Sequence, residues 1–386
     1  MFSIRPVWQY VRFLLYPFAL LYGLVIWLRN RLYDSGFFSS VSFSVPVINV
    51  GNLSVGGTGK TPHVEYLIRL FQYRYKVATM SRGYKRHTRG FLLADAHTNA
   101  LHIGDEPMQY LMKYEDVLVS VAEERMTGIP QLLQKRPDVE VILLDDAFQH
   151  RSVQPGLNIL ITDYAKPYYQ DHILPIGTLR ENQSAAKRAD VIIVSKCPPD
   201  LSETAADDIR EKLRAAAHQE VFFTTMHYAP PYDLLSGAPG ELSGKNAVVV
   251  CAIARPEALE QKVAAQASAT HLISYRDHHY FDSSDLAEIK TAYDNWKVAD
   301  KVIVTTEKDA ARLLLHRDQL LAWGVPLLVL PIAVSFLFGA GERFDALVNG
   351  FVEKEREENN WMHEVKINEG GAMGGCMTGL GGSCGC

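Results

Sequence analysis

The sequence predicts an α/β protein with a parallel sheet covered by helices on both faces. A second, smaller α/β unit follows it, and one long apolar helix precedes it. Three observations carry this reading. From residue 45 onward, short apolar runs alternate with helical stretches, as in strands that are buried on both faces. The series breaks once, at the Pro- and Gly-bearing segment 229–239, and then resumes. The 386 residues are 47% apolar and 22% charged, which suits about two domains and is too apolar for disorder.

The amino terminus comes first. Phe13–Leu28 carries no charge over sixteen residues, giving a helix of ~24 Å, short of the roughly 30 Å hydrocarbon core. Pro17 and Gly23 weaken it as a straight span. Arg5, Arg12, Arg29 and Arg31 flank it, and Trp8, Tyr10, Tyr22, Trp27 and Tyr33 supply interfacial aromatics. Arg29-Asn30-Arg31 follows where a signal peptide would need small residues. We read residues 1–33 as a helix lying on the cytoplasmic leaflet; the competing reading is a helix buried in the core.

Strands are expected at 45–50, 76–80, 117–121, 139–144, 157–162 and 191–195, with helices at 62–71 and 106–113. The second series has strands at 247–252, 271–275, 301–305 and 326–330, and helices at 256–265 and 283–293. The expected divisions are 34–228 for the larger unit, 229–345 for the smaller and 346–386 for a tail. That tail is charged over Glu353–Asn360, then Gly-rich with Cys376, Cys384 and Cys386. It reads as flexible rather than as a metal site. Five Cys do not make a disulfide scaffold, and a net charge of −5 leaves no basic excess for nucleic acid.

The most informative segment is Gly51–Pro62, GNLSVGGTGKTP, between an expected strand and helix. Ser54, Val55, Gly56, Gly57, Thr58, Gly59, Lys60 and Thr61 form a phosphate loop. Its glycines let backbone N–H groups converge, Lys60 reaches the β- and γ-phosphates, and the Thr61 hydroxyl suits Mg²⁺. The helix amino terminus at Thr61-Pro62 adds its dipole. Ser54 stands where the usual pattern has its first Gly. A nucleoside triphosphate with Mg²⁺ is the expected ligand of a P-loop NTPase-like sheet.

The run at 139–144 ends in Asp145 and Asp146, placing carboxylates beside the phosphate loop to hold the metal. Two adjacent acids would repel in a crevice of low dielectric unless a cation lies between them. His150 and Arg151 follow and could contact phosphate. Arg82, Lys85, Arg86 and Arg89 make a local basic run. It is either a solvated turn or a phosphate-capturing loop, with Tyr84 packing on a sugar.

Together with SRGYKR (81–86), GDEP (104–107), DDAFQHR (145–151), LPIGTLRE (174–181), RDHHYF (276–281) and TEKDA (306–310), the loop resembles the tetraacyldisaccharide 4′-kinases. The resemblance covers about residues 10–335. It implies Mg²⁺-dependent transfer from ATP to the 4′-hydroxyl of an acylated glucosamine disaccharide 1-phosphate, in lipid A biosynthesis. It further implies a peripheral enzyme on the cytoplasmic face of the bacterial inner membrane, with a β-strand linker that permits closure.

Carried over by motif, Lys60 and Thr61 match the family's phosphate-loop pair, Asp105 its catalytic carboxylate and His278 the paired histidine. Asp145, Asp146 and Glu181 match acids near the metal. Arg82, Tyr84, Arg125, His150 and Arg180 match the substrate and phosphate region. Asp105 would accept the sugar hydroxyl's proton, with His278 orienting it; a competing reading makes Asp105 the N-cap of the helix at 106–113. Ala147 replaces the family's usual Gly, and CAIARP (251–256) departs from its Gly-rich phrase. Two rival readings remain open from the residues alone. One is a P-loop switch or assembly NTPase, which needs no acceptor-directed base; the other is a soluble small-molecule kinase.

Overall fold

A computed structural model describes residues 5–373, with side chains from 14 to 359. The amino-terminal residues Arg5, Arg12, Trp8 and Tyr10 as side chains, and the three carboxy-terminal cysteines, lie outside the described residues. The chain opens with α1 (Arg5–Asp34) and then β1 (Val47–Asn52), α2 (Lys60–Phe71), β2 (Val77–Ser81) and β3 (Leu92–Leu93). Next come α3 (Ala100–Ile103), α4 (Asp105–Lys113), β4 (Leu118–Val121), α5 (Arg125–Lys135) and β5 (Val141–Asp145). β6 (Leu157–Asp163), β7 (Val191–Ser195), α6 (Glu203–Leu213) and β8 (Glu220–Tyr228) complete this stretch.

A second series holds β9 (Tyr232–Asp233), β10 (Asn246–Cys251), α7 (Pro256–Ala264), β11 (Ala269–Ser274) and α8 (Ser283–Asn295). β12 (Lys301–Thr306), α9 (Glu307–Leu313), α10 (Arg317–Trp323) and β13 (Leu327–Leu330) follow, then β14 (Ile332–Phe336) and α11 (Gly341–Met373).

Among the described residues fourteen strands form two sheets, ordered β14-β8-β7-β6-β1-β5-β2-β4-β3 and β11-β10-β12-β13-β9. Both are mainly parallel, with antiparallel pairs only where β14 meets β8, β3 meets β4 and β9 meets β13. The strands are Val-, Ile- and Leu-rich and buried along their length, as a sheet covered on both faces requires. β1 is central: the chain leaves it toward β2 on one side and later crosses to β6 on the other. A crevice therefore opens at its carboxyl end, where open α/β sheets bind ligands. Val50 of β1 is in register with Asp145 of β5.

The carboxy-terminal division differs from the expected one. β14 leaves the smaller sheet and pairs with β8 in the larger, Ile332 opposite Tyr228 through Phe336 opposite Thr224. α11 then covers the larger sheet, so the segment after 345 begins as a core helix. The cause is a short stripe, Phe344, Val348 and Val352, spaced by four and fully buried beside Ile48, Val77 and Ile159. The strong charge of residues 353–358 masks that stripe in the sequence. Phe344 stacks on Phe336 with ring centroids 4.5 Å apart and meets Phe222 edge-on.

α1 is one helix through Pro17. Ala19 is buried and Tyr22, Gly23, Ile26, Arg29, Asn30 and Tyr33 are half-buried, a helical period facing the protein. Leu14, Phe18, Leu21, Val25 and Leu28 are each more than half exposed, as are Leu20 and Leu24 on the adjoining face. The buried-core alternative fails on this exposure. Among the described residues no helix is long and apolar enough to cross a membrane.

Phe344→Ala removes a ring enclosed by three others and should lower stability by about 3–5 kcal/mol. Chemical denaturation checks this, and an unchanged midpoint would remove α11 from the core.

Candidate active site

The phosphate loop is held by the ends of two strands, β1 and β7, and by the backbone of Thr178. Val55 N–H donates to Thr178 O at 2.8 Å, Asn52 Nδ2 to Thr58 Oγ1 at 2.8 Å, and Ser195 Oγ to Thr58 O at 2.6 Å. Ser54, in the departing position, makes a β-bridge to Leu179. Gly59 caps α2 at φ 93° with no side-chain cap; a Cβ there would fall 2.1 Å from Met226 Cε. The first N–H groups of α2 thus stay free of side-chain acceptors, the arrangement that receives phosphate. Lys60 and Thr61 open the helix.

His63 is buried one turn along α2, its Nδ1 2.7 Å from Gly59 O and its Nε2 3.0 Å from Thr224 Oγ1. Burial pushes its pKa down to about 4, so it holds the loop as a neutral ring that donates from Nδ1 and accepts at Nε2.

Asp145 ends β5, almost fully buried. Tyr110 Oη donates to its Oδ2 at 3.1 Å, while Oδ1 has no partner. Burial pushes this carboxyl up to about 6, against the opposing pull of Lys60. Asp146 turns the other way at φ 54°. Lys60 Nζ lies 3.6 Å from it and Arg180 Nη1 3.1 Å; burial resists, but these cations hold its pKa below the usual value.

The remaining sequence-expected residues fall into two groups. Arg180 reaches the site, donating to Asp146 and to Gln149 Oε1. His150 is half-buried, and burial, then Arg125 and Arg82, lower its pKa to about 4. Arg125, by contrast, is completely enclosed and donates to the carbonyls of Ala122, Glu123 and Asp145. It braces the floor of the site from beneath and does not line its surface. Glu181 is likewise buried, bonded to Arg188 Nη1 and Asn30 Nδ2 at 2.8 Å each. Among the described residues no three His, Cys, Asp or Glu side chains form a metal-holding group; Arg188 and Asn30 take Glu181 Oε2, while its Oε1, like Asp145 Oδ1, has no partner.

Asp105 opens α4, but the N-cap is Gly104 with no side-chain bond; the capping reading fails. Gly104 sits at φ 89°, and a Cβ there would lie 2.9 Å from Tyr84 O, so only glycine lets the basic loop pack on the start of α4. Asp105 is 5% exposed. Its Oδ2 lies 3.4 Å from His278 Nδ1, and Arg312 Nε donates to Oδ1 at 3.1 Å while Nη2 donates to Oδ2. Burial opposes ionisation, yet His278 and Arg312 hold the carboxyl below its usual pKa. The adjacent His279 faces away, 2.7 Å from Asp285.

Tyr84 meets the His278 ring edge-on at 5.9 Å, which brings the basic loop beside Asp105. Residues 82–89 and Glu123 line a cavity of about 460 Å³. Arg82, Lys85 and Arg89 are exposed there, whereas Arg86 is committed to Glu123 at 2.6 Å.

Sequence reasoning missed Arg312, whose only signal is its place three residues after Asp309 of TEKDA on one helix face. It also missed the buried set in which Lys113 joins Glu65 and Glu307. Ala147 has no positive φ and packs in the core with Ile142 and Leu144. Nothing in this turn needs glycine at that position.

A central parallel sheet, a phosphate loop on its middle strand and paired acids on the neighbouring one define a P-loop nucleotide-binding protein. The buried carboxylate beside a basic cavity adds the layout of a phosphotransferase. The family model of the tetraacyldisaccharide-1-P 4′-kinases matches residues 11–352. The chain belongs to that family.

Named tetraacyldisaccharide 4′-kinases are similar along nearly their whole length. That of Flavobacterium johnsoniae is 42% identical over 351 residues, 90% of this chain and 99% of its own. That of Bacteroides fragilis is 41% identical over 361 residues, 91% and 96% of the two chains. A crystal structure of LpxK from Aquifex aeolicus in complex with ATP superposes with a TM-score of 0.69 at 26% identity. The match covers 89% of this chain and 99% of that one.

The lowered pKa of His63 gives a signed pH dependence. Between about 4 and ~6.5 the unfolded chain binds a proton that the folded chain refuses, so stability falls as pH drops through that window. His63→Gln, which can keep both hydrogen bonds, should flatten the fall. Thermal midpoints at pH 7 and pH 5 check it; equal losses in both proteins would refute it.

Proposed function

We propose that this chain transfers the γ-phosphate of ATP to the 4′-hydroxyl of a tetraacyldisaccharide 1-phosphate, as a peripheral enzyme on the cytoplasmic face of the bacterial inner membrane. One observation carries the reading beyond nucleotide binding. Asp105 is a buried, ionised carboxylate flanked by His278 and by the exposed cations of residues 82–89. A switch or assembly NTPase has no use for such a group.

Phosphoryl transfer asks a protein for positioning and charge neutralisation more than for covalent chemistry. The loop Ser54–Thr61 grips the triphosphate through backbone N–H groups, and Lys60 spans its terminal phosphates. Arg180 and His150 flank the same mouth. Asp105 takes the proton of the sugar hydroxyl as its oxygen bonds to the γ-phosphorus and the bond to the departing ADP breaks, with His278 beside that carboxylate at 3.4 Å. Arg82, Lys85 and Arg89 attract the lipid's 1-phosphate, with Tyr84 against a sugar face.

The acids suit Mg²⁺: Asp145 Oδ1 is a buried oxygen with no hydrogen-bond donor, open to a cation. Thr61, Asp145 and Asp146 would hold the ion, and Glu181 is left to anchor α1. When bound, Mg²⁺ neutralises the charge of the β- and γ-phosphates.

The exposed apolar stripe of α1 supports a helix lying in the membrane surface. The five-stranded sheet, 229–331, serves as a smaller domain that moves on the two-stranded β8–β14 linker.

Incubation with ATP, Mg²⁺ and the tetraacyl disaccharide 1-phosphate should add one phosphate to the lipid by mass. Nucleotide hydrolysis without lipid product would overturn the reading. In the same assay Asp105→Asn should lower kcat by about 10²–10⁴ with ATP affinity retained. The double variant Leu21→Asp, Val25→Asp should lose sedimentation with anionic phospholipid vesicles; unchanged sedimentation would exclude α1 as the anchor.

A further inference from the structure

The group that touches Asp105 most extensively is neither substrate nor His278. Arg312 lies on α9, in the unit of the smaller sheet, and is 1% exposed. Its Nε and Nη2 donate to the two oxygens of Asp105, at the start of α4 in the other unit. Its Nη1 donates to Asp309 Oδ1 at 3.2 Å and to His279 O at 3.3 Å. The guanidinium therefore forks across Asp105 while its far edge is fixed to its own helix and to the loop bearing the histidines.

Nη2 also lies 3.0 Å from His278 Nδ1. An arginine only donates, so Nδ1 must accept this bond with its proton on Nε2. An Nδ1 that accepts from Arg312 cannot donate to Asp105, and their 3.4 Å separation is longer than a firm hydrogen bond. In this arrangement Arg312, and not His278, fixes the orientation of Asp105.

We infer that Arg312 is a positioning residue of the phosphoryl transfer: it aims the Asp105 carboxylate and keeps it ionised, and it links that readiness to the seating of one unit on the other. The inference rests on the reading of Asp105 as the base. Every charged or titratable neighbour is accounted for. Arg312 and His278 face Asp105 directly, with Asp277 4.0 Å behind His278. Asp309 balances Arg312, Tyr280 lies beneath its guanidinium at 5.7 Å, and Glu106 is neutralised by Lys308 at 2.8 Å. Tyr84 covers the His278 ring. Among the described residues Arg312 is thus the one permanent cation bonded to the carboxylate.

The full-length chain is assayed with ATP, Mg²⁺ and the lipid acceptor from pH 5 to 9. Arg312→Gln leaves the carboxylate buried without its cation. The acid limb of kcat/KM should then move up by about one unit or more, so activity is lost far more at pH 6 than at pH 8.5. Arg312→Lys keeps the charge but not the fork. It should lower kcat about tenfold through misaim, with both KM values within twofold of the parent.

An Arg312→Gln limb that stays put, with activity falling equally at all pH values, would reduce Arg312 to scaffolding. So would an unchanged kcat in Arg312→Lys, which decides the matter alone if the glutamine variant fails to fold. Asp105→Asn separates the two claims. If it remains active, the base reading falls; if it is dead while both Arg312 variants behave like the parent, only the role of Arg312 falls.

Discussion

The two sheets meet through buried charge. Along α4, Asp105, Glu106, Gln109 and Lys113 face α9, which answers with Glu307, Lys308 and Arg312. Glu65 of α2 enters the same seam, accepting from Gln109 at 2.8 Å and from Lys113 at 2.5 Å, and Ile332 N–H of β14 donates to Glu307 at 3.1 Å. Taking ions out of water costs several kcal/mol each, offset only when the partners are well placed. Such a seam tolerates a single register. It also parts differently from an apolar one: separated ions regain hydration, whereas separated apolar surface loses ~25 cal/mol per Å² with no return. This seam joins the phosphate-loop helix, the helix of Asp105 and β14 through ion pairs and not through leucines.

On the opposite side, α1 belongs to the site through hydrogen bonds. Tyr22 Oη donates to Arg180 O at 2.9 Å, Arg29 to Gln149 O at 2.9 Å and Asn30 to Glu181. Arg180 reaches Asp146, and Asp146 faces Lys60. The exposed apolar stripe is therefore two side chains away from the phosphate loop. α1 is thus apolar outward and hydrogen-bonded inward over one diameter.

What could be read from the sequence follows from how local each signal is. The strand–loop–helix frame around Gly51–Pro62, the acids after β5 and the parallel strands other than β8 were legible, because apolar runs between turns report burial without knowledge of partners; β8, β14 and the short β3 and β9 were not expected. α11 was not, because three buried positions are outnumbered by charges that face solvent. Arg125 was expected from the resemblance to line the substrate region and Arg312 was not singled out; only the tertiary neighbours reveal that the donors are spent on carbonyls in one case and on a carboxylate in the other. Glu181 matched a motif; Arg188, at the end of the 3-10 helix Gln183–Arg188, takes its Oε2 while Oε1 has no partner. The adjacent histidines behaved as alternation requires, one facing Asp105 and the other Asp285.

The paired acids show how backbone geometry settles an electrostatic conflict. Asp145 and Asp146 are neighbours in a crevice, and like charges there raise each other's pKa. The left-handed turn at Asp146 sends the two side chains apart, one down to Tyr110 and one out to Lys60 and Arg180. That conformation is uncommon for a residue with a Cβ and costs about 1–3 kcal/mol. In exchange one carboxylate stays charged on its cations, while the other is held poised with an unpartnered oxygen. Because the strain is carried at Asp146, the following residue has an ordinary φ, and the Ala147 methyl occupies core space where the family's usual glycine would leave a gap. The departure from the motif is thus a packing change beside the site, with the directions of both acids already fixed one residue earlier.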